Sequence, residues 1–133
     1  KGAVAVLIAQ IYGPDTAIVA AGGALLGHLF PVWLKFRGGK GVATALGILM
    51  ALSLPVGGLA CLTWLLVAAL FRYSSLSALI ALAASPAFMW WLGDPQRTEF
   101  TIAMAVLVWI RHHENIRRLL RGEESKIGAS RKP

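Results

Sequence analysis

Apolar runs separated by short polar breaks set the layout of the chain. Residues 2–12 are apolar apart from Gln10, and Gly13-Pro14-Asp15 closes them with a turn. Residues 16–30 form a second run rich in alanine and glycine, with Asp15 or Thr16 placed to cap it. A polar interruption follows from Pro31 to Gly41. Residues 42–53 are apolar again, and Pro55 with Gly57-Gly58 interrupts them before a run at 59–71. Arg72-Tyr73-Ser74-Ser75 breaks the pattern, and 76–92 resumes it, ending in Trp90-Trp91 as an interfacial aromatic pair would. After a polar turn at 93–99, residues 100–110 form the last run. The pattern predicts an all-α chain of about six hydrophobic helices. Several are shorter than the roughly 20 residues that cross a full bilayer. Gly23 and Gly27, four apart, offer a small face for close helix packing.

Composition turns this helical reading into a membrane one. Of 133 residues, 57% are apolar and only 14% charged, against roughly 25% charged in an ordinary soluble domain. Mean hydropathy is +0.68. No long polar linker divides the chain, so residues 1–133 read as one membrane-embedded domain with a basic tail at 112–133. Lys1 is not a methionine and opens directly on a helical run. An N-terminal part preceding it is therefore expected.

The net charge of +7 raises nucleic acid as a partner. The cations punctuate apolar spans and form no solvated stripe, which excludes that class and favours lipid headgroups and phosphorylated small molecules. If the helices alternate in direction, every lysine and arginine except Arg97 falls on one end. The positive-inside rule makes that end cytoplasmic, the tail included. The assignment depends on a real turn near Ser53, without which everything after residue 55 inverts.

Two polar clusters carry the candidate chemistry. The first contains Gly38, Gly39, Lys40 and Gly41, between His28 and Thr44. Clustered glycines let several N–H groups converge on one point, and a lysine among them supplies a mobile positive charge: a phosphate cradle. A loop that only sets membrane orientation has the same composition. The second cluster begins Arg111-His112-His113-Glu114-Asn115. Read as a continuation of the last helix, it puts His112, Asn115 and Leu119 on one face. At a membrane helix end, His112 and Asn115 either hydrogen-bond a polar substrate or cap the helix. Glu123 or Glu124 can tie down the basic tail by ion pairs.

Other chemistries lack their residues. No G-x-x-x-x-G-K-[ST] pattern is present, which argues against a P-loop nucleotide hydrolase. There is no G-x-S-x-G elbow and no histidine followed five residues later by aspartate. Few carboxylates share the basic end, so no metal is expected, and no cofactor is implied. Cys61 is the only cysteine, so no internal disulfide forms.

Gly27-His28-Leu29-Phe30-Pro31, followed by Lys35-Phe36-Arg37-Gly38-Gly39-Lys40-Gly41-Val42-Ala43-Thr44, resembles the second motif of the bacterial PlsY-type glycerol-3-phosphate acyltransferases. His112-His113-Glu114-Asn115-Ile116-Arg117-Arg118-Leu119 with Gly122-Glu123-Glu124 resembles their third. The resemblance implies a polytopic enzyme of the bacterial cytoplasmic (inner) membrane, with its active site on the cytoplasmic side. Such an enzyme moves a fatty acyl group from acyl phosphate to the 1-hydroxyl of sn-glycerol 3-phosphate, the first step of phospholipid synthesis. It implies Gly38, Gly39, Lys40 and Gly41 as the phosphate loop, with Lys40, His112 and Asn115 at the chemistry. It gives His28, Thr44 and Glu123 supporting roles. The family's first motif, Gly-Ser-Gly-Asn-like with a following arginine, is absent from these residues. The competing class is a transporter element for a phosphorylated solute, which should place polar groups near mid-membrane and repeat its broken helix.

Overall fold

A computed structural model describes residues 2–31 and 40–129. The described residues form seven helices: α1 (Gly2–Gln10), α2 (Pro14–Leu29), α3 (Val42–Leu52), α4 (Leu54–Phe71), α5 (Ser74–Leu92), α6 (Pro95–Arg111) and α7 (His113–Leu120). The first six correspond to the apolar runs, and α7 lies in the basic tail.

Helix boundaries depart from the apolar runs where capping chemistry extends them. Pro14 opens α2 behind Gly13, so neither Asp15 nor Thr16 is the cap, and Asp15 instead accepts from Gln96 Nε2 at 2.6 Å. The break before α4 is Ser53 alone. Pro55 sits in the first turn, where its missing N–H costs nothing, and Gly57-Gly58 is helical. Asp94 caps α6 by accepting from the Arg97 N–H at 2.9 Å, which draws residues 95–99 into that helix. As a result α4 and α5 reach 18 and 19 residues, long and apolar enough to cross a membrane. Inside α5, Pro86 cannot donate to the Leu82 carbonyl, and Ser85 Oγ donates to it at 2.7 Å instead.

Ala17, Ala21, Leu25 and Leu29 recur every four residues on α2 and face a core shared with Ile48 and Leu49 of α3, Leu82 and Met89 of α5, and Met104 and Val108 of α6. Among the described residues nothing packs on the expected Gly23–Gly27 face. A side chain added at either glycine would meet nothing within 4 Å among the described residues. Large apolar side chains cover the outside as well: Leu70, Trp90 and Trp91 are each about three-quarters exposed. An apolar exterior around an apolar core is the pattern of a polytopic helical membrane protein.

The helices alternate in direction. One end holds the α1–α2 turn, Ser53 and the α5–α6 turn, tied together by Gln10 Nε2 donating to the Ala51 carbonyl at 2.8 Å and by the Gln96–Asp15 bond. The other holds Lys40, the α4–α5 turn and α7. Past α7 the chain folds back, and Ile127 exchanges two hydrogen bonds with Arg72, N–H to carbonyl at 2.6 Å and Nη2 to carbonyl at 2.9 Å. The turn at Ser53 on which the charge assignment depended is therefore present.

Candidate active site

At the basic end a cavity of about 530 Å³ opens between the heads of α3 and α5, the middle of α4 and the α6–α7 junction. Its polar wall is Lys40, His112, Asn115 and Glu124, and its apolar wall includes Leu46, Trp64 and Ala78.

Each polar residue arrives by a local cause. Lys40 immediately precedes α3, whose cap residue Gly41 is left-handed (φ 82°). That backbone angle favours glycine, and a Cβ at Gly41 would in addition press on the Leu29 side chain at 2.9 Å. His112 sits between α6 and α7, and the continuous helix read from the sequence is broken at this residue. The break turns α7 across the bundle end and buries both His112 and Asn115, while His113 and Glu114 stay exposed.

Lys40 Nζ donates to Asn115 Oδ1. Asn115 Nδ2 donates to Glu124 Oε2 at 3.1 Å, and that carboxylate also lies 3.5 Å from Arg118 Nε. The relay fixes the amide orientation, since the oxygen must face the lysine and the NH₂ the carboxylate. His112 Nδ1 lies 2.8 Å from the Val108 carbonyl. A carbonyl only accepts, so Nδ1 carries the proton and neutral His112 keeps its lone pair on Nε2.

Burial holds the His112 pKa below its ordinary 6.5, and the Lys40 charge acts the same way. The Val108 carbonyl, second in size after burial, opposes the lowering, and Glu124 opposes it more weakly; neither cancels it. His112 is therefore neutral near pH 7. Its folded pKa is below its unfolded one, so the unfolded chain binds the extra proton first. Stability then falls as pH drops through 6.5, by at most about 1.4 kcal/mol per pH unit from this one group. Thermal unfolding compared at pH 7.5 and pH 5.5 should show that loss, and His112→Gln should flatten it.

The remaining sequence-predicted residues divide clearly. Gly38 and Gly39 lie outside the described residues. Thr44 is buried beneath Gly2 of α1 and does not line the cavity. His28 is exposed near the end of α2 and does not line it either. Of the two adjacent glutamates, Glu124 reaches Asn115 and Arg118, while Glu123 is exposed and its N–H closes the turn after α7 on the Arg118 carbonyl at 2.8 Å. Ser74, Ser75 and Trp64 line the cavity without having been singled out. Their signal was available: the Ser74-Ser75 break falls on the same end as Lys40 once the helices alternate.

Residues 1–122 match the family model described as glycerol-3-phosphate acyltransferase. The glycerol-3-phosphate acyltransferase of Rhodospirillum rubrum is 55% identical across 99% of this chain and 65% of its own length. That of Cereibacter sphaeroides is 57% identical across 96% of this chain and 61% of its own. The chain thus spans roughly two thirds of the length of these relatives. Two crystal structures of PlsY (YgiH), an integral membrane glycerol 3-phosphate acyltransferase, superpose on it. The lysophosphatidic acid form has a TM-score of 0.90 at 37% identity, covering 96% of this chain and 67% of that one. The glycerol 3-phosphate form has a TM-score of 0.88 at 36% identity, covering 92% and 64%. The family model matched over residues 1–122, together with relatives more than half identical and the superposed membrane structures, settles the assignment: the chain belongs to the glycerol-3-phosphate acyltransferase family.

Proposed function

We propose that the chain carries much of the active site of an enzyme that transfers a fatty acyl group from acyl phosphate to the 1-hydroxyl of sn-glycerol 3-phosphate, releasing lysophosphatidate and inorganic phosphate. The observation that carries this reading is a single cavity with a Lys40–Asn115–His112 wall at one side and apolar helix faces at the other. Such a site suits one anionic head and one acyl chain. Family membership and the glycerol 3-phosphate form of the PlsY neighbour support the acceptor.

In the reaction the C1 oxygen bonds to the acyl carbon, the bond from that carbon to the phosphate oxygen breaks, and the hydroxyl proton leaves. Phosphate is a good leaving group, so the barrier lies in bringing two anions together with the hydroxyl aligned. Positioning can supply about 7–11 kcal/mol of that barrier. Lys40 and the Gly41 amide offset phosphate charge, with Gly38 and Gly39 assigned to the same role by the motif. The proton passes to a departing phosphate oxygen or to Nε2 of His112, whose lone pair the Val108 contact leaves available. The basic end faces the cytoplasm of a bacterial inner membrane, by the charge asymmetry between the two ends.

His112→Gln separates the two proton routes, because glutamine hydrogen-bonds but takes no proton. If His112 is the base, kcat should fall about 10²-fold or more and the acidic limb of the pH–rate profile should vanish. If it only positions substrate, activity largely survives with an unchanged profile. Formation of lysophosphatidate from acyl phosphate and labelled glycerol 3-phosphate reads the outcome.

A further inference from the structure

The chain after α7 has no regular structure from Glu123 to Lys126, yet it supplies Glu124 and Ser125 to the cavity. The Glu124 carboxylate is held on both oxygens. Oε2 accepts from Asn115 and lies 3.5 Å from Arg118 Nε, and Oε1 accepts from the Ser125 N–H at 3.3 Å. A segment without a ladder of its own depends for its place on how its ends are tied. One end is the turn at Gly122, where the Glu123 N–H reaches the Arg118 carbonyl. The other is Arg72 in the α4–α5 turn, 55 residues away along the chain. Ile127 donates its N–H to the Arg72 carbonyl and accepts from Arg72 Nη2. Beside this pair the Lys126 ammonium lies over the Tyr73 ring, 5.8 Å from its centre.

A second observation falls on the same residue. Arg72 caps the end of α4 in the left-handed conformation, with φ 60° and ψ 28°. Among the described residues it is the sole non-glycine with a positive φ, and Gly13, Gly41, Gly122 and Gly128 take the others. A helix end in this conformation is the usual place for glycine, which adopts it without a Cβ clash. Arginine there works against its own backbone, and what its side chain supplies in return is contact with the tail. Nη2 bonds the Ile127 carbonyl at 2.9 Å, and a Cβ at Gly128 would lie 3.5 Å from the same nitrogen. Arg118 also holds Glu124, but it belongs to α7 and cannot fix α7 against the rest of the bundle. Arg72 can, because the α4–α5 turn leads directly into Ser74 and Ser75 on another side of the cavity.

We propose that Arg72 is a positioning residue for acyl transfer: it clasps the 123–127 segment to the α4–α5 turn and so holds the Glu124 carboxylate against Asn115, whose oxygen receives Lys40. This rests on the acyltransferase reading and adds a residue to it. Arg72 is not among the residues lining the cavity, so it acts only through others. Its effect runs from Ile127 to Glu124, from Glu124 to Asn115 and from Asn115 to Lys40. With the clasp open, Glu124 is free to leave the wall. The Asn115 amide then no longer has to face its oxygen toward the lysine, and the ammonium loses its fixed direction.

Arg72→Gly in the full chain, embedded in lipid nanodiscs, tests the clasp. Glycine suits the backbone angle and removes the contact, so thermal stability should be unchanged or raised. The Lys126–Ile127 peptide bond should be cut by trypsin about tenfold faster, since a charged donor to the Ile127 carbonyl is lost. The kcat/KM for lysophosphatidate formation should fall by about the same factor. Arg72→Asn, which tolerates the same angle, should match glycine, and Arg72→Lys, which keeps a charged donor, should recover part of the rate. A double-mutant cycle with Glu124→Ala isolates the route: once Glu124 is gone, adding Arg72→Gly should cost less than a further twofold. Losses that multiply independently would overturn the proposal. So would turnover of Arg72→Gly within twofold of the unsubstituted protein, whether or not the tail is freed. A fall in melting temperature that accounts for the lost activity would make Arg72 a structural group and overturn it as well. Proteolysis needs no turnover. If the unsubstituted protein forms no lysophosphatidate yet Arg72→Gly still frees the tail, the clasp stands and the acyltransferase reading fails.

Discussion

Lys40→Met should reduce lysophosphatidate formation by about 10²- to 10³-fold while leaving the protein folded. The loss has two sources. The ammonium is the cation at the cavity's polar wall that donates directly to Asn115. Removing one preorganised donor to developing charge costs about 10²–10³ in rate in enzymes where it has been isolated. Its removal also leaves the Asn115 oxygen without that donor, so the amide–Glu124 relay slackens. Stability should fall by no more than about 1–3 kcal/mol, the cost of leaving the buried Asn115 oxygen without its donor, because Lys40 itself is exposed. Methionine keeps the length of the stem and removes only the charge. Lys40→Arg should recover little, since a planar fork cannot reproduce a point charge beside a fixed amide. Near-normal turnover of Lys40→Met, at normal protein abundance in the membrane, would remove Lys40 from the phosphate clamp.

How much of this was legible in the sequence depends on whether the cause was local. The apolar runs specify six helices, and the alternation of their directions gathers Lys40, His112 and Asn115 at one end. Caps and prolines are local too, but they act against hydropathy. Asp94 starts α6 among polar residues that look like a loop, and Pro55 looks like a breaker although it sits in a first turn. The break at His112 has no glycine or proline to announce it. It arises because α7 must turn across the bundle to bury Asn115 against Lys40, a contact 75 residues apart in the chain. The choice of Glu124 over Glu123 is likewise tertiary. Both are glutamates one residue apart, and only the tight turn after α7 decides which reaches Asn115 and Arg118.

Gly57 and Gly58 look identical in sequence, and their substitution should separate them sharply. A Cβ built at Gly57 lies 2.5 Å from both the N and the Cα of Met50, which are backbone atoms of α3 and cannot rotate away. A Cβ at Gly58 meets nothing within 4 Å. Gly57→Ala must therefore push α3 and α4 apart, opening the packing around Leu49, Leu52 and Val56 that Gly57 permits. The cost of such overpacking against a backbone is on the order of 3 kcal/mol. That corresponds to a fall of about 10 °C in apparent melting temperature for a chain of this size. Gly58→Ala should be neutral or stabilising by up to about 1 kcal/mol, through the helix propensity of alanine alone. Because α3 begins one residue after Gly41 and α4 carries Trp64 on the cavity wall, the Gly57 change should also lower turnover, without any contact between residue 57 and substrate. Paired thermal unfolding of the two variants in the same lipid or detergent checks the contrast. Equal melting temperatures would show that α3 and α4 do not approach this closely in the membrane.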